Sequence, residues 1–401
     1  MVALVACTDG DADPDPGQRA DSTDTAVEAT TDTSTESTPA PAPTSAPATT
    51  TTTTVAPFED GPLVDVCPGR IVIQTSGLPG PDVGPLYELV SGDWEVDAAA
   101  GTIAAPLVRP DGTTEDVILE IRSGGPAVGF LTPLTLLAAD SSILLAQSSI
   151  AVALRDAGSA PSVGVVTLTD RSRDVVIVDP ATYPAADSIE AVRDAGIEVR
   201  HVTDAPFIAY LAGVGALDPA QLVGGFGGEP AAFVQSGGAI AQQGDALVEP
   251  VLIPSLPQWA RPVAAIEAAS AGWDDHDDAL VARPDTVRDE RECLGRLVPI
   301  IQRAVVAYAD SPEATNVAMA NARASFTPLP RLNAELMDAG VAAGVEAGIF
   351  GPGSDPVVGD FDIERLDPFL AELAEILAVE PIAIDDLVTN EFIDTDVTSA
   401  G

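Results

Sequence analysis

The chain of 401 residues carries 62 acidic and 18 basic side chains, which gives a formal net charge of −44. All 18 basic residues are arginines. This balance excludes a nucleic-acid binder, because neutralising phosphates requires clustered Lys and Arg. The lack of lysine excludes a Walker-type phosphate loop, a Schiff-base nucleophile and pyridoxal-phosphate chemistry. No cofactor is therefore expected, and a chain of this length predicts two lobes or two domains.

The first seven residues form an apolar run that ends in a small residue and a cysteine. The segment Leu4-Val5-Ala6-Cys7 resembles a bacterial lipobox, in which the new N-terminal cysteine is lipidated. Only six residues precede Cys7, so the true start codon is expected further upstream. The alternative is a chance cysteine near the N-terminus. We expect Cys7 to anchor the protein on the extracytoplasmic face of the cell membrane.

Residues 8–60 are dominated by Asp, Thr, Ser, Pro and Ala, and they include an unbroken run of threonine from Thr49 to Thr54. Such a composition offers too little apolar surface to offset the entropy of ordering the backbone. The segment is expected to be a disordered, extended tether, and its Thr, Ser and Pro content is typical of O-glycosylated stalks. It would hold a folded domain away from the membrane.

From residue 70 onward, short apolar runs alternate with helical patterns, which predicts an α/β architecture with largely parallel sheets. Strands are predicted at 71–75, 117–121, 143–146, 163–166, 175–178 and 197–202. Helices are predicted at 84–90, 128–139, 188–195, 207–216, 295–309 and 369–377. Ser311-Pro312 and Asp367-Pro368 each predict a helix start, with a capping residue followed by a first-turn proline. No apolar stretch reaches the roughly 18 residues that a membrane span requires.

Two cysteines, Cys67 and Cys293, remain for the folded region if Cys7 carries a lipid. Two cysteines in an exported domain most simply form a disulfide. The chain-entropy model assigns such a long loop a stabilisation on the order of 5 kcal/mol. The alternative is a pair of buried free thiols.

Catalytic motifs are not found in the sequence. The two histidines, His201 and His276, are not part of any Ser-His-Asp or metalloprotease pattern, so no enzyme is predicted. The acidic run comprises Asp274, Asp275, His276, Asp277 and Asp278. Its oxygen ligands could bind a divalent ion such as calcium. A solvated acidic turn is the alternative, because the glycine and ligand register of an EF-hand loop are missing.

Two glycine-rich turns each precede a predicted helix. The first, 123–127, contains Gly124 and Gly125, and the second, 224–230, contains Phe226 between glycines. Backbone amides at a helix N-terminus bind anions and polar ligand groups. The two turns would suit two lobes that close on one small ligand, although glycine turns also occur for steric reasons alone.

Together these motifs resemble solute-binding lipoproteins of ABC importers. The similarity is to an actinobacterial branch related to the binders of thiamine pyrimidine precursors, sulfonates, taurine and nitrate. The resembling segments are 71–75, Pro79, 84–87, 120–122, 124–126, 179–184, Phe233, 237–238, 240–244, 249–250, 293–294, 297–302 and 386–394.

The resemblance implies the α/β type II periplasmic-binding-protein fold, with two lobes, a ligand cleft and two crossing segments near 175–180 and 271–281. Lobe one would comprise 61–175 and 281–401, and lobe two would comprise 176–280. The implied ligand-binding residues are Gln74, Thr75, Ser76, Tyr87, Gly124, Gly125, Phe226, Glu249 and Trp273. The implied function is capture of a small organic molecule by hinge closure, and delivery by a monomer to an ABC permease.

The first cleft loop departs from the pattern of this family. Relatives usually carry Asp, Trp and His where this chain has Ser76, Gly77 and Val83. An aromatic platform and two polar contacts are therefore missing. The alternative function is a surface lipoprotein with the same fold that has lost its ligand and acts in a structural or regulatory role.

Overall fold

The computed structural model describes residues 58, 61–90, 94–327 and 332–399. The predicted lipobox with Cys7 lies outside the described residues, as does nearly all of the predicted tether. In the described part of the chain, no helix is long and apolar enough to cross a membrane.

The described residues form alternating strands and helices. The strands are β1 (Arg70–Gln74), β2 (Glu95–Asp97), β3 (Thr102–Val108), β4 (Thr114–Arg122), β5 (Leu145–Ser148), β6 (Val163–Thr167), β7 (Asp174–Val178), β8 (Val199–Arg200), β9 (Leu222–Val223), β10 (Ala241–Asp245), β11 (Ala264–Glu267) and β12 (Ala279–Ala282). The helices are α1 (Gly84–Glu88), α2 (Pro133–Ala139), α3 (Ile150–Asp156), α4 (Ile189–Asp194), α5 (Pro206–Gly213), α6 (Ala231–Gln235), α7 (Glu249–Ser255), α8 (Pro284–Asp289), α9 (Arg291–Asp310), α10 (Glu313–Phe326), α11 (Ala334–Glu346), α12 (Ile363–Leu377) and α13 (Ile384–Leu387).

The strands form two sheets. The first has the order β2-β3-β4-β1-β5-β12-β6, and the second has the order β11-β7-β10-β8-β9. Strand β1 is parallel to β4 and β5, and β8 is parallel to β9 and β10. The prediction of largely parallel sheets was wrong. Both sheets are mixed, because β3 and β4 form an antiparallel hairpin and because β7 and β12 run antiparallel to their neighbours.

The chain passes between the sheets twice. It leaves the first sheet after β6 and enters the second at β7, so residues 168–173 form the first crossing. It returns between β11 and β12, through residues 268–278. The prediction placed the first crossing near 175–180. In the structure Val175–Val178 already pairs with β10 and β11, because this fully apolar run is buried in the second sheet.

Three helix starts differ from the predictions. Residues 128–139 do not form one helix: a 3-10 helix covers Gly125–Val128, and α2 begins only at Pro133. Helix α12 begins at Ile363 rather than after Asp367, because the Asp362 carboxylate accepts a hydrogen bond from the Arg365 backbone N–H at 3.1 Å and caps the helix earlier. Pro368 lies inside α12. Ser311, predicted to cap α10, is instead the C-cap residue that follows α9, and Pro312 is the N-cap of α10 rather than its first helical residue.

A disulfide joins Cys67 to Cys293 across 226 positions of sequence. Cys67 lies just before β1, and Cys293 lies in the first turn of α9, where it is fully buried. The bond therefore attaches the start of the first sheet to the longest described helix. Helix α9 packs its buried face, which includes Leu297, Ile301 and Tyr308, into the core of the first sheet.

Candidate functional site

The carboxyl ends of the parallel strands β1, β4 and β5 meet at one edge of the first sheet, the edge at which ligands bind in α/β proteins. Ser76 follows β1, Ser123 follows β4, and Gln147 lies near the end of β5. The Gln147 side-chain oxygen accepts hydrogen bonds from the Ser76 backbone N–H at 2.8 Å and from the Ser76 hydroxyl at 3.0 Å. This edge therefore presents polar groups toward the crossings.

Arg173, at the end of the first crossing, pairs with carboxylates from several elements. Its guanidinium donates to both oxygens of Asp278, with Nε–Oδ2 at 2.7 Å and Nη2–Oδ1 at 3.0 Å. It also pairs with Asp245 at the end of β10, and Asp82 lies 3.8 Å away. The Gln147 amide donates to Asp278 at 2.7 Å and to Asp82 at 3.1 Å. We call these five residues the Arg173 network; it connects both sheets and both crossings.

Burial governs the charges around this network. Desolvation raises the pKa of Asp245 to about 6, although the Arg173 charge opposes the rise. Desolvation, with repulsion from Asp245, raises the pKa of Glu249 to about 8. Burial lowers the pKa of Arg173, but attraction to Asp245 and Asp278 outweighs it and places that pKa well above its ordinary value. The guanidinium stays charged, and Glu249 is mostly protonated at neutral pH.

Tyr87, Ser123 and Arg323 form a second polar group beside Asp82. The Tyr87 and Ser123 hydroxyls are buried near each other, and within the part of the chain that the structure describes neither they nor Nε of Arg323 make a hydrogen bond of normal geometry. Burial raises the pKa of Tyr87, while the nearby Ser123 hydroxyl and Arg323 charge counteract that rise. Arg323 donates from Nη1 to the Pro79 carbonyl at 2.9 Å, which fixes it against the first sheet. Two neighbouring hydroxyls, each able to donate and to accept, and one guanidinium N–H thus lie beside a carboxylate, with no acceptor at normal hydrogen-bond geometry among the described residues.

Gln74 and Thr75, predicted to bind ligand, are buried and bonded to the backbone. The Gln74 amide donates to the carbonyls of Thr75 and Arg122, each at 3.0 Å. The Thr75 hydroxyl donates to the carbonyls of Gly77 and Arg122, at 3.0 and 3.2 Å. Both side chains connect the end of β1 to the end of β4. They therefore stabilise the edge of the sheet and do not point away from it toward a ligand.

The predicted glycine turn has a steric role. A Cβ at Gly124 would overlap the Ser76 carbonyl, so glycine is required for this approach of the two strand ends. Gly125 has φ of 78°, a conformation that glycine adopts without strain. The turn leads into a 3-10 helix of four residues, Gly125–Val128. The turn therefore does not lead into an α-helix whose N-terminal backbone amides could bind a ligand, as the sequence predicted.

The remaining predicted contacts lie in different places. Phe226 is half-buried in the loop after β9, where its N–H donates to the His201 carbonyl at 2.9 Å. Glu249 begins α7 and accepts from the Asp245 N–H at 2.6 Å, next to the Arg173 network. Trp273 is only 1% exposed and packs among aromatic rings. Its ring centroid lies 6.2, 5.6 and 5.1 Å from those of Phe207, Tyr210 and Phe369.

The acidic run 274–278 is mostly buried, so the solvated-turn alternative was wrong. Asp275 accepts a hydrogen bond from the Ala151 N–H at 3.1 Å, in the first turn of α3. Asp277 accepts from the Arg173 N–H and the Ser172 hydroxyl, each at 2.7 Å. Burial lowers the pKa of His276 to about 3, so its ring is neutral. Among the described residues no group of three or more His, Cys, Asp or Glu is placed to hold a metal ion. The run instead joins the two crossings.

Sequence reasoning missed Arg173, Asp245, Gln147, Asp82 and Arg323. Two of them carried a usable signal. Gln147 ends an apolar run whose strand is parallel to β1, and polar residues at that position face the binding edge. Arg173 directly precedes β7, whose residues Val175–Val178 are apolar and buried, and a charged residue next to such a run must have partners. The carboxylates that pair with it are 72 and 105 positions away, which no local pattern reveals.

The sequence matches no protein-family model, and no curated protein matches it. Solved structures do match its fold. The periplasmic aliphatic sulphonate binding protein SsuA of Escherichia coli is 13% identical, with a TM-score of 0.52 over 83% of this chain and 94% of that chain. The alkanesulfonate-binding protein SsuA of Xanthomonas axonopodis pv. citri, bound to MOPS, is 12% identical, with a TM-score of 0.50 over 80% of this chain and 98% of that chain.

A third similar structure is the ligand-binding component of an ABC-type import system from Staphylococcus aureus. It is 10% identical, with a TM-score of 0.52 over 82% of this chain and 99% of that chain. Likeness at this level of identity establishes the fold. The protein has the α/β type II periplasmic-binding-protein fold, as predicted, with two sheets and two crossings.

Proposed function

We propose that the protein is an extracytoplasmic solute-binding protein that captures a small organic molecule between two lobes and delivers it to an ABC importer. The lobes are 61–167 with 279–399, and 174–267, on either side of the two crossings. The fold supports this proposal, because proteins that share it include the sulphonate binders and the import component. Binding by closure requires no bond chemistry, so the proposal does not include catalysis.

The observation that carries the proposal is the set of buried, unpaired donors at the binding edge. The hydroxyls of Tyr87 and Ser123 and Nε of Arg323 make no normal hydrogen bond within the described residues. An unsatisfied buried polar group is costly, and such groups in natural proteins call for a partner. A solute with acceptor oxygens would supply that partner.

The sequence supports the remaining parts of this role. Lipidation of Cys7 would anchor the protein to the cell membrane, and residues 8–60 would hold the binding lobes away from it. The permease would then be the macromolecular partner of a monomeric binding protein.

The test is a thermal-shift screen of the full chain against pyrimidines, sulfonates, nitrate, flavins, polyamines and divalent ions, followed by calorimetry. A solute that binds only the native state raises the melting temperature according to RT ln(1 + [L]/Kd). We expect a saturable hit whose affinity drops in Tyr87→Phe and Ser123→Ala. Tyr183→Phe is the matched control, because its hydroxyl bonds the Ala239 carbonyl at the opposite end of β10. A hit unaffected by the first two variants would place binding elsewhere.

A second candidate function, the lipoprotein without a ligand, is favoured by one observation. The Arg173 guanidinium already lies between the carboxylates of Asp82, Asp245 in the second sheet and Asp278 in the second crossing. A cation supplied by the chain itself leaves less room for a solute at that point. A screen with no hit in any class would favour this second function.

A further inference from the structure

The turn between β10 and α7 contacts the first-sheet half of the molecule through an apolar side chain. Leu247 is fully buried in the hydrophobic cluster that forms the core of the first sheet with α9, α10 and α11. Among the buried members of that cluster, Leu247 alone comes from residues 174–267, the part of the chain that contains the second sheet. Within this cluster, one half of the molecule thus inserts a single leucine into the core of the other. The two halves also pack together in a second cluster, where the ring centroids of Tyr210 in α5 and Phe369 in α12 lie 5.5 Å apart.

Helix α11 is shaped to receive this turn. A Cβ at Gly340 would overlap the Leu247 carbonyl oxygen, and a Cβ at Gly344 would lie 2.5 Å from Cδ2 of Leu247. The two glycines are four residues apart, so they lie on the same face of the helix. Glycine weakens a helix interior, so two glycines at this face are accounted for by the close approach of the turn.

A polar contact fixes the same turn from the other side. The Asp245 carboxylate pairs with Arg173, and it also accepts a hydrogen bond from the Leu247 N–H at 2.8 Å. The Ala246 N–H donates to the Arg173 carbonyl at 2.8 Å. Arg173 therefore holds the conformation in which Leu247 points into the notch formed by Gly340 and Gly344.

We propose that residues 245–248 form a two-point latch, which, in addition to the contact between α5 and α12, holds the two lobes together before any solute binds. The first point is Leu247 in the Gly340–Gly344 notch, and the second is Asp245 on Arg173. Opening of the lobes would return Leu247 to water and separate the ion pair. The latch itself rests on the two-lobed fold, and only its effect on solute capture rests on the proposed function.

The test measures the distance between the lobes by pulsed electron paramagnetic resonance, without solute. Spin labels are placed on Val317→Cys in α10 and Ala220→Cys before β9, both exposed, in the full chain with Cys7→Ser and the Cys67–Cys293 bond oxidised. We expect one narrow distance distribution. Leu247→Ala, Gly340→Ala and Arg173→Gln should each add a population at longer distance. Leu131→Ala, at a side chain that is 51% exposed, is the control and should leave the distribution unchanged.

Two results would overturn the latch. One is a broad or two-peaked distribution in the unaltered chain, because the lobes would then open freely without solute. The other is a wild-type distribution in all three variants. Folding of each variant is checked by circular dichroism. Because Arg173→Gln removes no apolar side chain from the core, it still tests the latch if Leu247→Ala fails to fold. No solute enters the experiment, so failure of the latch and failure of solute binding are observed separately.

Discussion

Replacing the buried carboxyl of Glu249 should change how the stability of the protein depends on pH. Glu249 is only 6% exposed, and desolvation with repulsion from Asp245 raises its pKa to about 8 from an ordinary 4.5. The folded state therefore holds this proton more tightly than the unfolded state. The stability that the protonated group contributes is fully present below pH 4.5 and is lost as the pH rises through about 8.

The magnitude follows from the two pKa values. The difference between about 8 and 4.5 corresponds to at most about 5 kcal/mol of unfolding free energy. Glu249→Gln keeps a neutral side chain of the same shape, and its amide oxygen can still accept from the Asp245 N–H. We expect the variant to match the wild type at pH 4.5 and to be more stable by a few kcal/mol at pH 8.5.

The assay is urea unfolding of both proteins at several pH values between 4.5 and 8.5, analysed by linear extrapolation. Glu375→Gln is the matched control, because Glu375 is exposed on α12. The reasoning is refuted if Glu249→Gln and the wild type lose stability in parallel as the pH rises, or if the control produces the same gain.

Three further substitutions probe the contacts that hold the fold together. Replacing Cys67 and Cys293 by Ser should lower the unfolding free energy by on the order of 5 kcal/mol; an unchanged urea midpoint would contradict this. Trp273→Ala should cost about 3–5 kcal/mol, because it leaves a cavity among three aromatic rings; a loss below 1 kcal/mol in urea unfolding would refute that packing. Arg173→Gln should cost about 3 kcal/mol at pH 8 and less at pH 5, since Asp245, with a pKa of about 6, is mostly protonated there; a loss independent of pH would exclude this cause.

Fully buried strands were the most predictable part of the fold. The apolar runs predicted at 71–75, 163–166 and 175–178 correspond to β1, β6 and β7 within one or two residues. Burial on both faces demands continuous apolar sequence, which is a local signal. Strands β2, β3, β9, β11 and β12 were not predicted. β2 and β9 are short and none of their residues is fully buried, whereas β12 is fully buried but has only four residues.

The candidate site was less predictable, because its residues are defined by long-range contacts. The positions of the loops after β1 and β4 were predicted correctly. The side chains of Gln74 and Thr75, however, donate hydrogen bonds to backbone carbonyls and are not free to contact a ligand. Trp273 was expected in the cleft, and it packs in an aromatic cluster with residues from α5 and α12. The burial of the acidic run depends on Arg173, which lies 105 positions from Asp278. Local composition predicted the negative charge of the acidic run but not its pairing with Arg173.

The most direct test of capture between two lobes is hydrogen exchange of the full chain, with and without a solute found in the screen. The account predicts that one solute protects backbone amides in both halves, at 76–87 and 123–125 of the first and at 224–226 and 245–249 of the second. Protection confined to one half, at any saturating concentration, would contradict it.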